Sequence, residues 1–175
     1  MTDIVVSDSG PLISLERISN GYDFIRKLYK KIFVPLSVIE ELSYGLHLPP
    51  NGYLAAYNIK DLVKIISVAK DKQPEIKGIE FLHLAEAEAI LLAVQIQCHL
   101  LIEETIGRQI AIGAGLKISG IAGAIVRASR QGVIGQDEAI TKTEELLSGG
   151  RINKKIYDFM LLKIKGQTFG EFIRI

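Results

Sequence analysis

The alternation of short β-branched runs with stretches of helical periodicity constrains the fold of this chain more than any other feature of its sequence. Residues 4–6, 32–34 and 99–102 are short apolar runs followed by turn-forming or charged residues, which predicts strands. Residues 116–119 predict a further strand, whereas residues 62–68 are compatible with either a strand or a connector. Strands that alternate with helices favour an α/β fold of three layers, with a central parallel sheet and helices on both faces.

Helical spacing and helix-terminating residues predict the segments between these strands. Pro11 and Pro35 each suit the first turn of a helix, and Gly45 ends the second of these helices. Further helices are predicted over residues 22–29, 84–97, 106–114 and 136–148, from Gly120 onward, and in the tail, with a loop over residues 70–78. We expect residues 1–150 to form one domain and residues 151–175 to form a helical tail that packs on it.

Composition narrows the class of protein without indicating a function. Hydrophobic residues make up 48% of the 175 residues and charged residues 23%, as in globular proteins. Cys98 is the only cysteine, which excludes an internal disulfide framework and a cysteine-rich zinc site. No apolar run reaches the roughly 20 residues that span a bilayer, and no signal-peptide pattern opens the sequence. We therefore expect a cytoplasmic protein without a membrane segment. The net charge of +1 does not by itself indicate a nucleic-acid partner.

Acidic residues stand directly after two of the predicted strands. Asp8 follows the first strand, and Glu103 and Glu104 follow the run 99–102. In open α/β sheets the binding crevice lies beyond the carboxyl ends of the strands, so these carboxylates are placed for metal or phosphate chemistry. For Asp8 an equally good interpretation is an N-cap of the next helix, because Asp commonly caps helices.

Two predicted helices add further acidic residues. In the helix after Pro35, Glu41 lies on the flank of the apolar stripe and can reach a crevice, whereas Glu40 lies nearly opposite the stripe. In the helix over residues 84–97, Glu86 and Glu88 are about 200° apart, so they cannot both enter one site, and helix geometry does not say which one does. Dispersed carboxylates of this kind suit Mg²⁺ or Mn²⁺, which can activate water and neutralise charge on a phosphodiester.

Four motifs in order resemble those of the PIN-domain family. The opening IVVSDSGPLI, over residues 4–13, is similar to the start of PIN domains, and especially to the VapC-like branch of predicted nucleic-acid-binding proteins. The segments FVPLSVIEEL at 33–42, EAEAILLA at 86–93 and LIEETIGRQIA at 101–111 look like the family's later motifs. The resemblance extends from about residue 4 to residue 147.

The resemblance implies a PIN fold with an acidic pocket at the carboxyl edge of the sheet. Similar family members are commonly Mg²⁺- or Mn²⁺-dependent endoribonucleases, and many are toxins neutralised by an antitoxin. The resemblance therefore implies RNA as substrate, an antitoxin protein as partner, and a homodimer. The metal ligands that it implies are Asp8, Glu41, Glu86 and one of Glu103 or Glu104, and the implied catalytic residues are Asp8, Glu41, Glu86 and Glu104.

The resemblance also implies supporting residues, and the sequence departs from the family at two motifs. Ser9 matches a small hydroxyl residue beside the first aspartate, and Arg108 matches an arginine that pairs with the acids or faces phosphate. The fourth motif usually carries at least one Asp, but both of its acids are Glu here, and Ala85 stands where the third motif usually has Gly. The alternative function is accordingly a PIN scaffold with a weakened site that binds RNA or a partner protein.

The tail and one glycine pair contain patterns that indicate a function less specifically than the four motifs do. The apolar tail residues Ile156, Phe159 and Met160 offer a candidate surface for the homodimer. The basic residues of the tail, Arg151 among them, favour a solvated helix face over an RNA contact. The GIAG motif at residues 120–123 favours a tight turn over a dinucleotide site, because the third glycine of that fingerprint is missing.

Overall fold

The central sheet consists of parallel strands, as the sequence pattern predicts. Within the residues that the computed structural model describes, which are 4–50, 52–69 and 74–166, five strands lie in the order β3-β2-β1-β4-β5. The strands are β1 (Ile4–Ser7), β2 (Lys31–Val34), β3 (Val63–Ile65), β4 (Leu100–Leu101) and β5 (Ile118–Ser119). Of the two interpretations of residues 62–68, the strand is therefore correct. Residues 70–73 of the predicted loop and residues 167–175 of the predicted tail lie outside the described residues.

Helices cover both faces of the sheet and complete the predicted three-layer α/β fold. The helices are α1 (Ser9–Glu16), α2 (Gly21–Arg26), α3 (Leu36–Gly45), α4 (Gly52–Ala56), α5 (Leu84–Gln95), α6 (Thr105–Gly113), α7 (Ile121–Arg130), α8 (Gln136–Ser148) and α9 (Lys154–Ile164). Apolar residues of α5 and α6 pack with Val6 on one face, and those of the other helices pack with Val5 in the larger cluster. Adjacent strand residues enter opposite clusters because side chains alternate along a strand. The short helix α4 was not predicted.

The tail helix α9 packs on α7 and α8. Met160 and Ile164, four residues apart on one stripe of α9, are buried in the larger core cluster, whereas Ile156 and Phe159 are exposed. The surface predicted from Ile156, Phe159 and Met160 is therefore wrong for Met160, whose side chain faces inward. In the described part of the chain, no helix combines the length and the apolar character of a membrane span.

The strand order reverses at β1, which brings the loops after β1 and β4 together. β1 pairs with β2 on one side and with β4 on the other. The backbone N–H of Asp8 donates to the carbonyl oxygen of Leu101 at 3.0 Å, so the carboxyl ends of β1 and β4 lie side by side. This point is the topological switch of the sheet, where ligand crevices form in open α/β folds.

Candidate active site

A cavity of about 530 Å³ opens at this switch point. Four carboxylates from four different segments line it: Asp8 after β1, Glu41 on α3, Glu86 in the first turn of α5, and Glu104 at the N-cap of α6. These are the four acids that the resemblance implies as catalytic residues, and the fold brings them to one cavity. Its volume lies within the usual range of small-molecule sites.

Asp8 is the buried carboxylate of this cavity, with 1% of its surface exposed. Burial raises the pKa of Asp8 from 3.8 to about 7, and the charges of Glu86 and Glu41 act in the same direction. The backbone N–H groups of Ser9 and Gly10 oppose the rise only in part. The Asp8 side chain makes no hydrogen bond of N-cap geometry, so the N–H groups at the start of α1 offset only part of the effect of burial.

Glu86, and not Glu88, is the α5 carboxylate in the cavity wall. Burial raises the pKa of Glu86, and the charges of Glu104 and Glu41 add to this rise. Glu88 instead accepts a hydrogen bond of 2.6 Å from the Ser37 hydroxyl, across the contact between α3 and α5. Helix geometry did not distinguish Glu86 from Glu88, and this contact between helices accounts for the position of Glu88 outside the cavity.

Gly107 on α6 leaves room for the Glu86 carboxylate. A Cβ atom at residue 107 would lie 2.8 Å from Glu86 Oε1 and 2.7 Å from Ile102 Cδ1, closer than real Cβ contacts. The glycine of the fourth motif therefore allows α6 to approach both side chains.

Glu41 lies in the cavity wall and Glu40 does not, in agreement with their positions on α3. The Ser9 hydroxyl lies 3.3 Å from Glu41 Oε1 and 3.4 Å from Asp8 Oδ1. Both distances exceed the usual 2.5–3.0 Å of O–H···O bonds, so these contacts are weak. Ser9 thus lies between two acids, as its expected supporting position requires.

Glu103 is absent from the cavity wall. Its Oε2 atom accepts hydrogen bonds from the Ser14 hydroxyl at 2.7 Å and from Arg151 Nη2 at 2.8 Å. Its Oε1 atom accepts the backbone N–H of Ile121 at 3.1 Å, at the start of α7. A carboxylate that is already paired with a guanidinium does not need a metal ion, so Glu104 is the better candidate of this pair.

Arg151 belongs to the site, and the expectation that it lies on a solvated helix face is wrong. Its Nε donates to the Ser14 hydroxyl at 2.8 Å, its Nη2 donates to the Gly10 carbonyl at 3.1 Å, and it lines the acidic cavity. α9 begins only at Lys154, after the N-cap Asn153, whose side chain accepts the backbone N–H of Ile156. The Asn cap is the sequence signal that places Arg151 before the helix.

Arg108 binds the backbone close to the acids. Its Nη1 donates to the carbonyl oxygen of Ile102 at 2.8 Å, and the side chain does not line the acidic cavity. This hydrogen bond gives Arg108 a contact that supports the backbone at the end of β4, and its contact with phosphate stays a prediction.

The acids of the cavity suit a hard divalent cation in chemical type. They are oxygen ligands, and the raised pKa values of Asp8 and Glu86 mean that the described residues do not neutralise them. In the described ranges, however, no three Asp, Glu, His or Cys side chains are gathered closely enough to form a metal-binding group. Glu41 and Glu104 are exposed, so packing does not hold their side chains away from Asp8.

The fold and cavity together define a parallel α/β protein with several acids at the switch point of its sheet, an arrangement that is suited to binding a divalent cation. A family model described as PIN domain matches residues 4–166, and the chain belongs to the PIN-domain family. PIN domains are generally nucleases, and they typically use divalent metals. Comparison with curated proteins and with solved structures found no match.

Proposed function

We propose that this chain is a metal-dependent endoribonuclease in which Asp8, Glu41, Glu86 and Glu104 hold Mg²⁺ or Mn²⁺. The observation that carries the proposal is the buried Asp8 carboxylate, whose pKa is raised by burial and by neighbouring acids. Arg151 in the same wall does not neutralise these acids, because its charge is paired with Glu103. Strongly shifted carboxylates in a cleft are typical of functional sites.

The residues of the cavity would have different roles in such a site. A bound divalent cation would supply an activated water and neutralise charge on the phosphodiester. Asp8 offers a rigid ligand because the sheet edge and α1 bury it, while Glu41 and Glu104 offer mobile ligands. Ser9 contributes weak contacts to Asp8 and Glu41, and Arg151 donates a hydrogen bond to the Gly10 carbonyl beside them.

The resemblance to the VapC-like branch supports finer proposals about biology. In these the chain is the cytoplasmic toxin of a toxin–antitoxin pair, acts on RNA, and forms a homodimer. The exposed Ile156 and Phe159 of α9 offer the dimer an apolar surface. A small antitoxin-like reading frame immediately upstream would support the toxin role, and analytical ultracentrifugation would test the dimer.

A second candidate function is a PIN scaffold that binds RNA or a partner protein without cleaving RNA. Two observations favour it: the described carboxylates are not gathered as a metal-binding group, and Glu103 is occupied by Arg151. The two functions differ in whether added metal produces cleavage.

We expect the wild type to cleave a mixed single-stranded RNA pool when Mn²⁺ or Mg²⁺ is added, and we expect Asp8→Asn to lose this activity. The loss is expected because the amide removes the buried anionic ligand. Glu40→Gln is the matched control and should cleave like the wild type, since Glu40 lies outside the cavity wall. If folded wild type neither cleaves RNA nor binds metal, the scaffold function is the better account.

A further inference from the structure

Phe81 exposes 79% of its surface on the rim of the acidic cavity. It ends a 3-10 turn (Ile79–Phe81) that lies just before α5, the helix that carries Glu86. Ile106 in the first turn of α6 lines the same cavity and is 59% exposed. Two large apolar side chains thus remain in water directly beside the carboxylates.

The same two residues also line a second, more apolar cavity of about 720 Å³. Phe81 and Ile106 therefore form the wall that the acidic and apolar cavities share. Lys77 and Gln109 lie in the wall of the apolar cavity and offer a cation and an amide. A ligand bound at the acids can extend across this shared wall without leaving the protein surface.

One edge of the Phe81 ring lies near the turn at Gly78. Gly78 has φ +87°, and the backbone N–H of Phe81 donates to the Gly78 carbonyl at 3.1 Å. A Cβ atom at residue 78 would lie 3.9 Å from Phe81 Cδ2 and 3.4 Å from Ile110 Cδ1, so one edge of the ring and α6 both lie near this turn. The remainder of the ring is exposed and open to a ligand.

We propose that Phe81, with Ile106 beside it, is a stacking subsite for an unpaired base next to the scissile phosphate. The inference rests on the proposed function, since it assigns a base-binding subsite to the substrate of that same site. A phosphodiester held at the carboxylates places its neighbouring nucleoside at the shared wall, and aromatic rings stack on any base whose face is free. Bases within a duplex do not offer a free face, so the subsite selects single strands.

The test measures binding of a short fluorescent RNA oligonucleotide in the Asp8→Asn background, where cleavage cannot interfere. Phe81→Ala is expected to weaken binding by about tenfold, because loss of one stacked base commonly has this effect. Phe81→Tyr should restore binding by restoring the ring. Tyr44→Ala is the matched control: Tyr44 is an exposed aromatic residue on α3, does not line either cavity, and its variant should bind like the parent.

A second set of oligonucleotides carries one abasic nucleotide at successive positions. We expect one position to weaken binding by about tenfold in the parent protein and to have no further effect in Phe81→Ala. Equal binding by Phe81→Ala and the parent would overturn the inference, as would losses that are independent of abasic position. If Phe81→Ala leaves RNA binding intact but abolishes capture of a partner protein, the surface docks protein and the inference is wrong.

The two proposals fail separately. If the wild type shows no metal-dependent cleavage, yet the abasic series still identifies one position linked to Phe81, the nuclease proposal fails and the base subsite stands. If cleavage is metal-dependent but Phe81→Ala changes neither binding nor cleavage, only the subsite fails.

Discussion

Asp8→Asn is expected to stabilise the metal-free protein at pH 8, although it removes the proposed activity. The pKa of Asp8 is about 7 in the folded protein, against a reference value of 3.8. Folding therefore disfavours the charged form of Asp8. Protonated Asp8 contributes fully to the free energy of unfolding below about pH 4, and this contribution is lost as the pH rises to about 7. An amide at this position has no charge to lose.

The expected gain is large for a single substitution. At 1.36 kcal/mol for each pH unit, the difference between 3.8 and about 7 corresponds to about 4 kcal/mol at pH 8. Desolvation of the new amide offsets part of this, which leaves about 2 kcal/mol or more. For a chain of this length, such a gain raises Tm by about 5 °C.

The measurement is thermal unfolding in EDTA at pH 5 and at pH 8. The gain of Asp8→Asn over the wild type should be larger at pH 8, and Glu40→Gln should show no gain at either pH because Glu40 is exposed. If the variant is equally stable or less stable than the wild type at pH 8, folding does not disfavour the charged form of Asp8.

Arg151→Met should destabilise the fold by about 2 to 3 kcal/mol. The side chains of Arg151 and Glu103 are 23% and 19% exposed, so water screens the pair only partly. Methionine fills similar space but leaves Glu103 without its cation and removes the bonds to Ser14 and Gly10. Denaturant unfolding at constant pH measures the loss.

The control for Arg151→Met is Lys154→Met, three residues later in the chain. Lys154 forms an exposed ion pair with Asp158, and its removal should change the free energy of unfolding by less than about 0.5 kcal/mol. In the double variant Arg151→Met/Glu103→Gln, the loss should be smaller than the sum of the single losses, because no buried charge remains. Equal losses for Arg151→Met and Lys154→Met would mean that the partly buried pair of Arg151 and Glu103 stabilises the fold no more than an exposed ion pair does.

Sequence periodicity predicted the layers of the fold because short β-branched runs and helical stretches alternate clearly. It also separated Glu41 from Glu40, since helix geometry fixes the angle of each residue around one axis. The same geometry did not decide between Glu86 and Glu88. That choice depends on the Ser37 hydroxyl of α3, which binds Glu88 and lies 51 residues away in the chain.

The roles of Glu103 and Arg151 required the tertiary structure for a similar reason. Neighbouring acids at residues 103 and 104 look alike in sequence. Within the described residues, only Glu103 meets a guanidinium, which comes from the junction of α8 and α9. Arg108 matched a family position, yet its side chain binds the Ile102 carbonyl. Hydrogen-bond partners that are distant in sequence leave no periodic signal.

The most direct test of the account is calorimetric titration of Mn²⁺ at pH 8, above the pKa of Asp8. The proteins to compare are the wild type, Glu41→Gln and Glu40→Gln, because residues 40 and 41 are neighbours on α3 and only Glu41 lines the cavity. We expect the wild type and Glu40→Gln to bind Mn²⁺ alike, and Glu41→Gln to bind it at least about tenfold more weakly. Absence of binding by the wild type, or equal binding by all three proteins, would contradict the claim that these carboxylates form a metal site.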